Sequence, residues 1–279
     1  MKIQRIAAFI ENGLGGNPAG VVLLDALPKN EDMQKVAAEV GYSETVFAAP
    51  DGESWTTRYF SPESEVPFCG HATIALGAVL AKEHGAGRYQ LSLSEGDIDV
   101  TASMENGQSQ STLSSRPTHS EPVGETVIDE ALDLFGYKRD DLDPVLPARR
   151  INAGAAHLFF ALKSREQLAR MHYDLAAGRA FMQRHGLVTV VFVWRESEDL
   201  FHARNAFASG GVLEDPATGA AAAAIAGMLR DEGLTGRTEL TILQGADMGR
   251  PSRINVQFTA PIGSPVFVGG TSSEIEDQS

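Results

Sequence analysis

Two helical segments that are apolar on every side, set among strand-like runs, predict an α+β protein of two similar halves. The first is 67-PFCGHATIALGAVLAKEHG-85; the second lies in 213-LEDPATGAAAAAIAGML-229, where thirteen residues from Ala217 to Leu229 carry no charge. A helix without a polar face is not stable on a water-exposed surface and must be enclosed, most simply by a curved sheet. Both segments are rich in Ala and Gly, so strands can approach them from all sides. Around them, helix and strand signals alternate without a strict βαβ rhythm.

In chain order, IQRIAAFI, AGVVLL, ETVFAAP and TTRYF read as strands, and 31-EDMQKVAAEVG-41 as a helix closed by glycine. The first apolar helix follows. YQLSLS and DIDVTASM form an expected hairpin across Glu95-Gly96-Asp97. The polar stretch 108-QSQSTLSSRPTHSEP-122, rich in Ser and Thr and holding two prolines, reads as an inter-domain linker. The second half repeats the mixture. A helix near 127–135 and the strand HLFFAL precede a helix near 164–184. Strands VTVVFVW and LFHARNAF lead into the second apolar helix, and ELTILQG, RINVQF and PVFVGG come after it. The acidic tail SSEIEDQS is expected to fray.

Composition narrows the function. The chain has 279 residues, 43% of them hydrophobic, enough for one large domain or two ordinary ones. A formal net charge of −14 argues against nucleic acid and against an anionic membrane surface. Cys69 is the only cysteine, which excludes an intrachain disulfide and a Cys-based structural zinc site. The N-terminus lacks the apolar core and cleavage site of a signal peptide, and no apolar run reaches the roughly 18 residues of a membrane span. A soluble cytoplasmic protein is expected.

Helix N-termini bind anions through unpaired backbone N–H groups and the helix dipole. Asp215-Pro216 reads as an N-cap followed by the first helical residue. Asp215 is therefore either a structural cap or a group that faces a cleft and handles protons or an ammonium. His71 stands at the mouth of the first helix, where a neutral imidazole is favoured and useful for proton exchange. A satisfied structural histidine is its other reading. Cys69 could be activated by the same dipole, but a small buried apolar role is the simpler one. Asn17 reads as part of a turn at Asn17-Pro18, and Arg250 as an ion-pair partner for one of many carboxylates. Nothing in the pattern alone distinguishes Glu44 from other glutamates.

Six segments in order carry a family resemblance across nearly the whole chain: 17-NPAGVV-22, 43-SETVF-47, 59-YFSPESEVPFCGHATIA-75, 156-AHLFFAL-162, 204-RNAFASGGVLEDPATGA-220 and 244-QGADMGRPS-252. On these the chain resembles the PhzF family of phenazine-biosynthesis isomerases and, more distantly in fold, diaminopimelate epimerase. The resemblance implies a diaminopimelate epimerase-like fold: two similar domains facing each other across a cleft, each with a central helix inside a curved mixed sheet. The expected domains are residues 1–115, completed by a C-terminal strand at about 264–279, and residues 116–263. The resemblance also implies that Glu44 is the catalytic acid/base, and that Gly70, His71 and Asp215 line the active site.

The expected chemistry is a cofactor-independent proton shift on a small carboxylic acid, cyclic or amino-acid-like. Glu44 would move the proton, and His71 and Asp215 would orient polar groups or relay a second proton. Backbone amides near Gly70 and Gly219 would hold a carboxylate, with Asn17, Cys69, Thr218 and Ala220 as further substrate contacts. No metal is expected; a homodimer is. One departure stands out: Ala220 replaces a Ser frequent in the family, which removes a hydroxyl and puts the phenazine-pathway substrate in doubt. Two-thiol racemisation is impossible with Cys69 alone, although Glu44 or Cys69 opposed to Asp215 would suit a strict epimerase. A catalytically silent binding relative is the other alternative. Nucleotide binding by 13-GLGGNPAG-20 fails both glycine-motif spacings, and His71, His157 and His202 lack a short metal-ligand spacing.

Overall fold

The computed structural model describes residues 1–105 and 107–275. The chain divides into two compact units, Met1–Ser114 with Gly269–Ser279, and Ser115–Val268. Among the described residues no helix is long and apolar enough to cross a membrane.

The first unit contains β1 (Gln4–Ala8), β2 (Asn17–Leu23), α1 (Asn30–Val40), β3 (Thr45–Asp51), β4 (Ser54–Phe60) and a short β5 (Glu65–Val66). These precede α2 (Gly70–His84), β6 (Gly87–Leu93), β7 (Gly96–Glu105) and β8 (Gln108–Ser114). As the pattern predicts, α1 ends at Gly41 in the left-handed conformation, with φ 70°. It packs on one face of the sheet, its Met33 and Ala37 against Val22, Phe47 and Phe60. The other face receives α2, in which every residue from His71 to Ala81 is buried. With both faces covered, β2 and β3 read as continuous apolar runs rather than alternating ones.

The second unit contains β9 (His119–Pro122), α3 (Glu125–Phe135), β10 (Arg149–Asn152), β11 (Ala156–Leu162), α4 (Arg165–Ala169) and α5 (Leu175–Arg184). They are followed by β12 (Thr189–Arg195), β13 (Leu200–Ala206), the short β14 (Glu214–Asp215), α6 (Gly219–Asp231), β15 (Glu239–Gln244) and β16 (Ser252–Phe258). Its strands pair in the order β9-β10-β11-β12-β13-β15-β16, with β11–β12 and β13–β15 parallel and the rest antiparallel. One face carries an aromatic core of Phe135, Phe160, Phe181 and Phe192 under α3 and α5. The opposite face curls around α6, which touches both edge strands, β9 and β16, as well as β10 and β11.

The last strand, β17 (Val266–Glu274), joins the first unit and pairs with β1 and β8. The pairings β1–β2, β2–β3, β3–β4, β4–β6, β6–β7 and β7–β8 then complete a closed ring of strands. The apolar helix α2 contacts β1, β2, β3, β6, β7 and β8 of that ring. A closed ring leaves no open sheet edge.

Three sequence expectations change. The polar stretch 108–122 is mostly strand: β8 and β9 occupy it, and only residues 115–118 between them are irregular. Its serines serve packing, because Ser109 and Ser111 are buried and a Cβ added at Gly77 of α2 would lie 2.8 Å from Ser111 Oγ. The helix expected at 164–184 is two helices, since Asp174 opens a second one by accepting a 2.8 Å bond from the Ala177 N–H. The tail expected to fray begins as strand: Ser272, Ser273 and Glu274 pair with Ala8, Ala7 and Ile6. The rest of that call, residues 276–279, lies outside the described residues.

Close approach governs both enclosed helices. At Gly77 a Cβ would also meet Val100 at 2.9 Å, and at Gly227 of α6 it would meet Thr118 at 2.5 Å. Gly77→Val should therefore destabilise the protein by about 1–3 kcal/mol through overpacking. Urea unfolding followed by circular dichroism checks this; Ser111→Ala in the same chain should recover part of the loss.

Candidate functional site

Three polar side chains meet at the N-terminal mouth of α2. Glu44 immediately precedes β3 and is anchored by its carbonyl, which accepts a 3.2 Å bond from the Gly20 N–H of β2. Cys69 is the N-cap of α2 and His71 lies in its first turn. The imidazole stands between the other two: Nδ1 is 3.3 Å from Cys69 Sγ, and Nε2 is 3.4 Å from Glu44 Oε2. Ser43 Oγ is also 3.4 Å from Nε2. Glu44 Oε2 is buried and has no hydrogen-bond partner among the described residues, so its approach to His71 is a contact without hydrogen-bond alignment. The Glu44 and His71 side chains are 14% and 7% exposed, so little solvent screens them from each other.

The cap is fixed from behind. Thr73 Oγ1 donates to the Cys69 carbonyl at 2.7 Å, and the Tyr59 hydroxyl lies 2.7 Å from the same Thr73 oxygen. Burial pushes the Tyr59 phenol well above its ordinary pKa, so it stays neutral. The first intrahelical bond runs from the Thr73 N–H to the Cys69 carbonyl. The amides of Gly70, His71 and Ala72 precede it, at the end of the helix suited to an anion. Glu44, Cys69 and His71 each offer a ligand atom, all within 4.8 Å of one another.

In the second unit Asp215 sits at the mouth of α6, but it does not cap that helix. The N-cap is Thr218, and Asp215 belongs to β14, paired with Asn205 of β13. That pairing holds Asp215 and Pro216 in extended chain, which delays the helix to Gly219. Its carboxylate instead accepts from the Thr218 hydroxyl. Thr218 Oγ1 in turn accepts from Asn205 Nδ2 and, at 3.1 Å, from Gln244 Nε2. Gln244 Nε2 also donates to the Asp215 carbonyl at 2.7 Å. A hydroxyl has one hydrogen and two lone pairs. With both lone pairs engaged by amides, the Thr218 hydrogen is directed to Asp215.

The other expected residues fall out as follows. Gly219 and Ala220 form the first turn of α6, next to Thr218. Asn17 is buried and opens β2 in register with Ala8, so Asn17-Pro18 is strand rather than turn. Arg250 is exposed and forms no ion pair among the described residues; it follows the left-handed Gly249, and its amide bonds to the Gly245 carbonyl. His157 and His202 face opposite sides of their sheet. His202 meets Glu196 at 2.6 Å, whereas His157 is fully buried on the α6 side, its Nδ1 2.7 Å from Thr189 Oγ1. A cavity of about 480 Å³ beside Tyr173, Arg204 and Met248 is a poor anion site, because Arg204 is already committed to Glu214 and to the carbonyls of Ala169 and Met171.

Sequence reasoning missed Ser43, Asn205 and Gln244. All three lie inside the segments that carried the resemblance, but residues 205, 218 and 244 have no local spacing that announces a network.

This fold, a central helix enclosed by strands in each unit, is that of the diaminopimelate epimerase-like class of proteins. A probable proline racemase from Agrobacterium radiobacter shares it, with TM-score 0.67, 12% identity and coverage of 98% of this chain and 90% of that one. The PhzF-family phenazine biosynthesis protein of Bacillus anthracis matches with TM-score 0.87 and 23% identity over 99% of this chain and 98% of that one. The sequence model of the PhzC-PhzF family, phenazine biosynthesis-like protein, matches residues 6–276. An uncharacterized isomerase of Deinococcus radiodurans is 32% identical over 92% of this chain and 86% of its own length. The chain belongs to the PhzC-PhzF family and is an isomerase.

Two stability predictions follow from the buried polar groups. Thr218→Val leaves the Asn205 and Gln244 amides and the Asp215 carboxylate without their shared partner, and should cost about 1–3 kcal/mol in urea unfolding. Thr218→Ser should retain most of that stability.

Burial lowers the His157 pKa from 6.5 to about 4. Between these values the unfolded chain binds a proton that the folded chain does not. The histidine therefore favours the fold fully above pH 6.5, and this contribution is lost as pH falls towards 4. The loss should be on the order of 3 kcal/mol. Unfolding midpoints measured across that range should show a shallower pH dependence in His157→Gln.

Proposed function

We propose that the protein catalyses a proton-transfer isomerisation of a small carboxylic acid, with Glu44 as the acid/base. The observation that carries this reading is the buried Oε2 of Glu44, without a hydrogen-bond partner and 3.4 Å from His71 Nε2 at the mouth of α2. A carboxylate oxygen kept from water and from strong donors has a lone pair available to a substrate C–H. The neighbouring imidazole can stabilise the charge left when the proton moves, or relay it. The first-turn amides of α2 supply the anion-binding end that a substrate carboxylate requires.

The reaction needs a C–H bond made acidic by an adjacent carbonyl or conjugated system. Glu44 takes that proton, the electron pair delocalises, and the carboxylic acid so formed returns the proton to another carbon. In the second unit, Asp215, held by Thr218, is an oriented acceptor suited to an amine or hydroxyl. Ala220, in the first turn of α6, offers no hydroxyl where a Ser is frequent in the family, which puts the phenazine-pathway substrate in doubt.

A strict epimerase is the second reading, favoured by the 3.3 Å contact between Cys69 Sγ and His71 Nδ1. It places a thiol in the same cluster as Glu44. The two readings differ in product: deuterium from solvent appears at the carbon that the double bond leaves in one and at an inverted stereocentre in the other.

The test is proton NMR in D₂O with trans-2,3-dihydro-3-hydroxyanthranilate and a panel of cyclic amino acids, proline and 4-hydroxyproline among them. Wild type should exchange deuterium into at least one compound, and Glu44→Gln should slow that exchange by about 10²–10⁴-fold with its circular dichroism unchanged. Equal exchange rates in wild type and Glu44→Gln would remove Glu44 from the mechanism.

A further inference from the structure

We propose that Glu44, Cys69 and His71 also form a binding site for a divalent transition-metal ion of the zinc type, and that metal and substrate compete for it. The site stands on three observations. The three residues contribute a carboxylate oxygen, a thiol sulfur and an imidazole nitrogen, all within 4.8 Å of one another. The distances are near those of a coordination sphere. Zinc–ligand bonds of about 2.0–2.3 Å place tetrahedral ligand atoms roughly 3.3–3.6 Å apart. Here Nε2 of His71 is 3.4 Å from Glu44 Oε2 and 4.0 Å from Cys69 Sγ, and no pair in the set is more than 4.8 Å apart, so closing the set on an ion takes side-chain rotation only. Finally, Glu44 Oε2 is a buried oxygen that no hydrogen bond satisfies, and a cation would satisfy it.

The donor set selects the ion. Thiolate and imidazole favour Zn²⁺ and Co²⁺, whereas Mg²⁺ and Ca²⁺ prefer oxygen alone. Three protein ligands leave one position for water. Binding is a proton exchange: the Cys69 thiol gives its proton to solvent, the thiolate sulfur donates an electron pair to the metal, and no electron changes hands. The first half of the proposal concerns the cluster alone. Competition with substrate rests on the proton-transfer reading, because a metal on Oε2 occupies the lone pair that the isomerisation uses.

The experiment is a titration of the purified, untagged and chelator-treated protein with Co²⁺, read by near-ultraviolet thiolate-to-cobalt charge transfer. Wild type should show the band, saturating at one equivalent, and Zn²⁺ should abolish it by displacement. The band should vanish in Cys69→Ser. Glu44→Gln should keep the band but bind more weakly, by at least the ~10-fold that losing even an outer partner of a metal ligand costs. Circular dichroism confirms that both variants are folded. Absence of the band in wild type overturns the proposal without recourse to any variant, and so does an undiminished band in Cys69→Ser. Catalysis is not read at any step, so failure of the exchange assay leaves this result standing and the converse also holds. Where a turnover substrate is found, Zn²⁺ inhibition that substrate relieves is expected, and inhibition indifferent to substrate overturns the competition.

Discussion

A helix with no polar face has to be sheathed along its whole length, and each unit of this protein is organised by that requirement. In α2 eleven successive residues from His71 to Ala81 are buried, and in α6 nine from Ala221 to Leu229. The surrounding chain comes close enough only because the helices are built from Ala and Gly, with Gly77 against Ser111 of β8 and Gly227 against Thr118 in the connector before β9. The sheath denies polar groups a place anywhere but the ends. At the N-terminal end the backbone offers amides and a positive dipole, so acids, thiols and imidazoles gather there. The location of both polar clusters is thus a by-product of how the core is closed.

The two helix mouths meet that condition in different ways. Around Thr218 every hydrogen-bonding role of the hydroxyl is assigned, by two amides and one carboxylate. Such a network resists rearrangement and fixes direction. Around His71 the contacts are longer, and one carboxylate oxygen has no hydrogen-bond partner. A proton carrier has to exchange partners during a reaction, which a saturated network opposes. The first cluster is loosely held and the second is locked.

The enclosed helices were legible because their message is local: an unbroken apolar run at helical length has few interpretations. The strand runs and the Gly41 stop were legible for the same reason. The misreadings came from side-chain chemistry whose meaning depends on distant partners. Serines at 109 and 111 suggested a linker, yet small polar side chains are what a strand needs to pass a helix at close range. Asp215-Pro216 looked like a helix start, but its strand pairing with Asn205 overrode the capping preference. Glu44 stood out only through the resemblance, because proximity to His71 is a property of the folded chain. Asn205 and Gln244 were invisible as partners of Thr218, since nothing in their separation along the chain encodes the contact.

The closing strand β17 ties the chemistry of the first unit to the order of synthesis. Its residues from Gly269 complete a ring whose other strands all precede residue 115, and the whole second unit is made between them. On the ribosome, the sheet around α2 therefore waits with two open edges, at β1 and β8, while more than half the chain is translated. The second unit has no such delay, because Ser115–Val268 is one continuous stretch. The cluster at the mouth of α2 is thus enclosed by a complete ring only after the whole second unit has been made, so its surroundings are finished by the strand that is synthesised farthest from it.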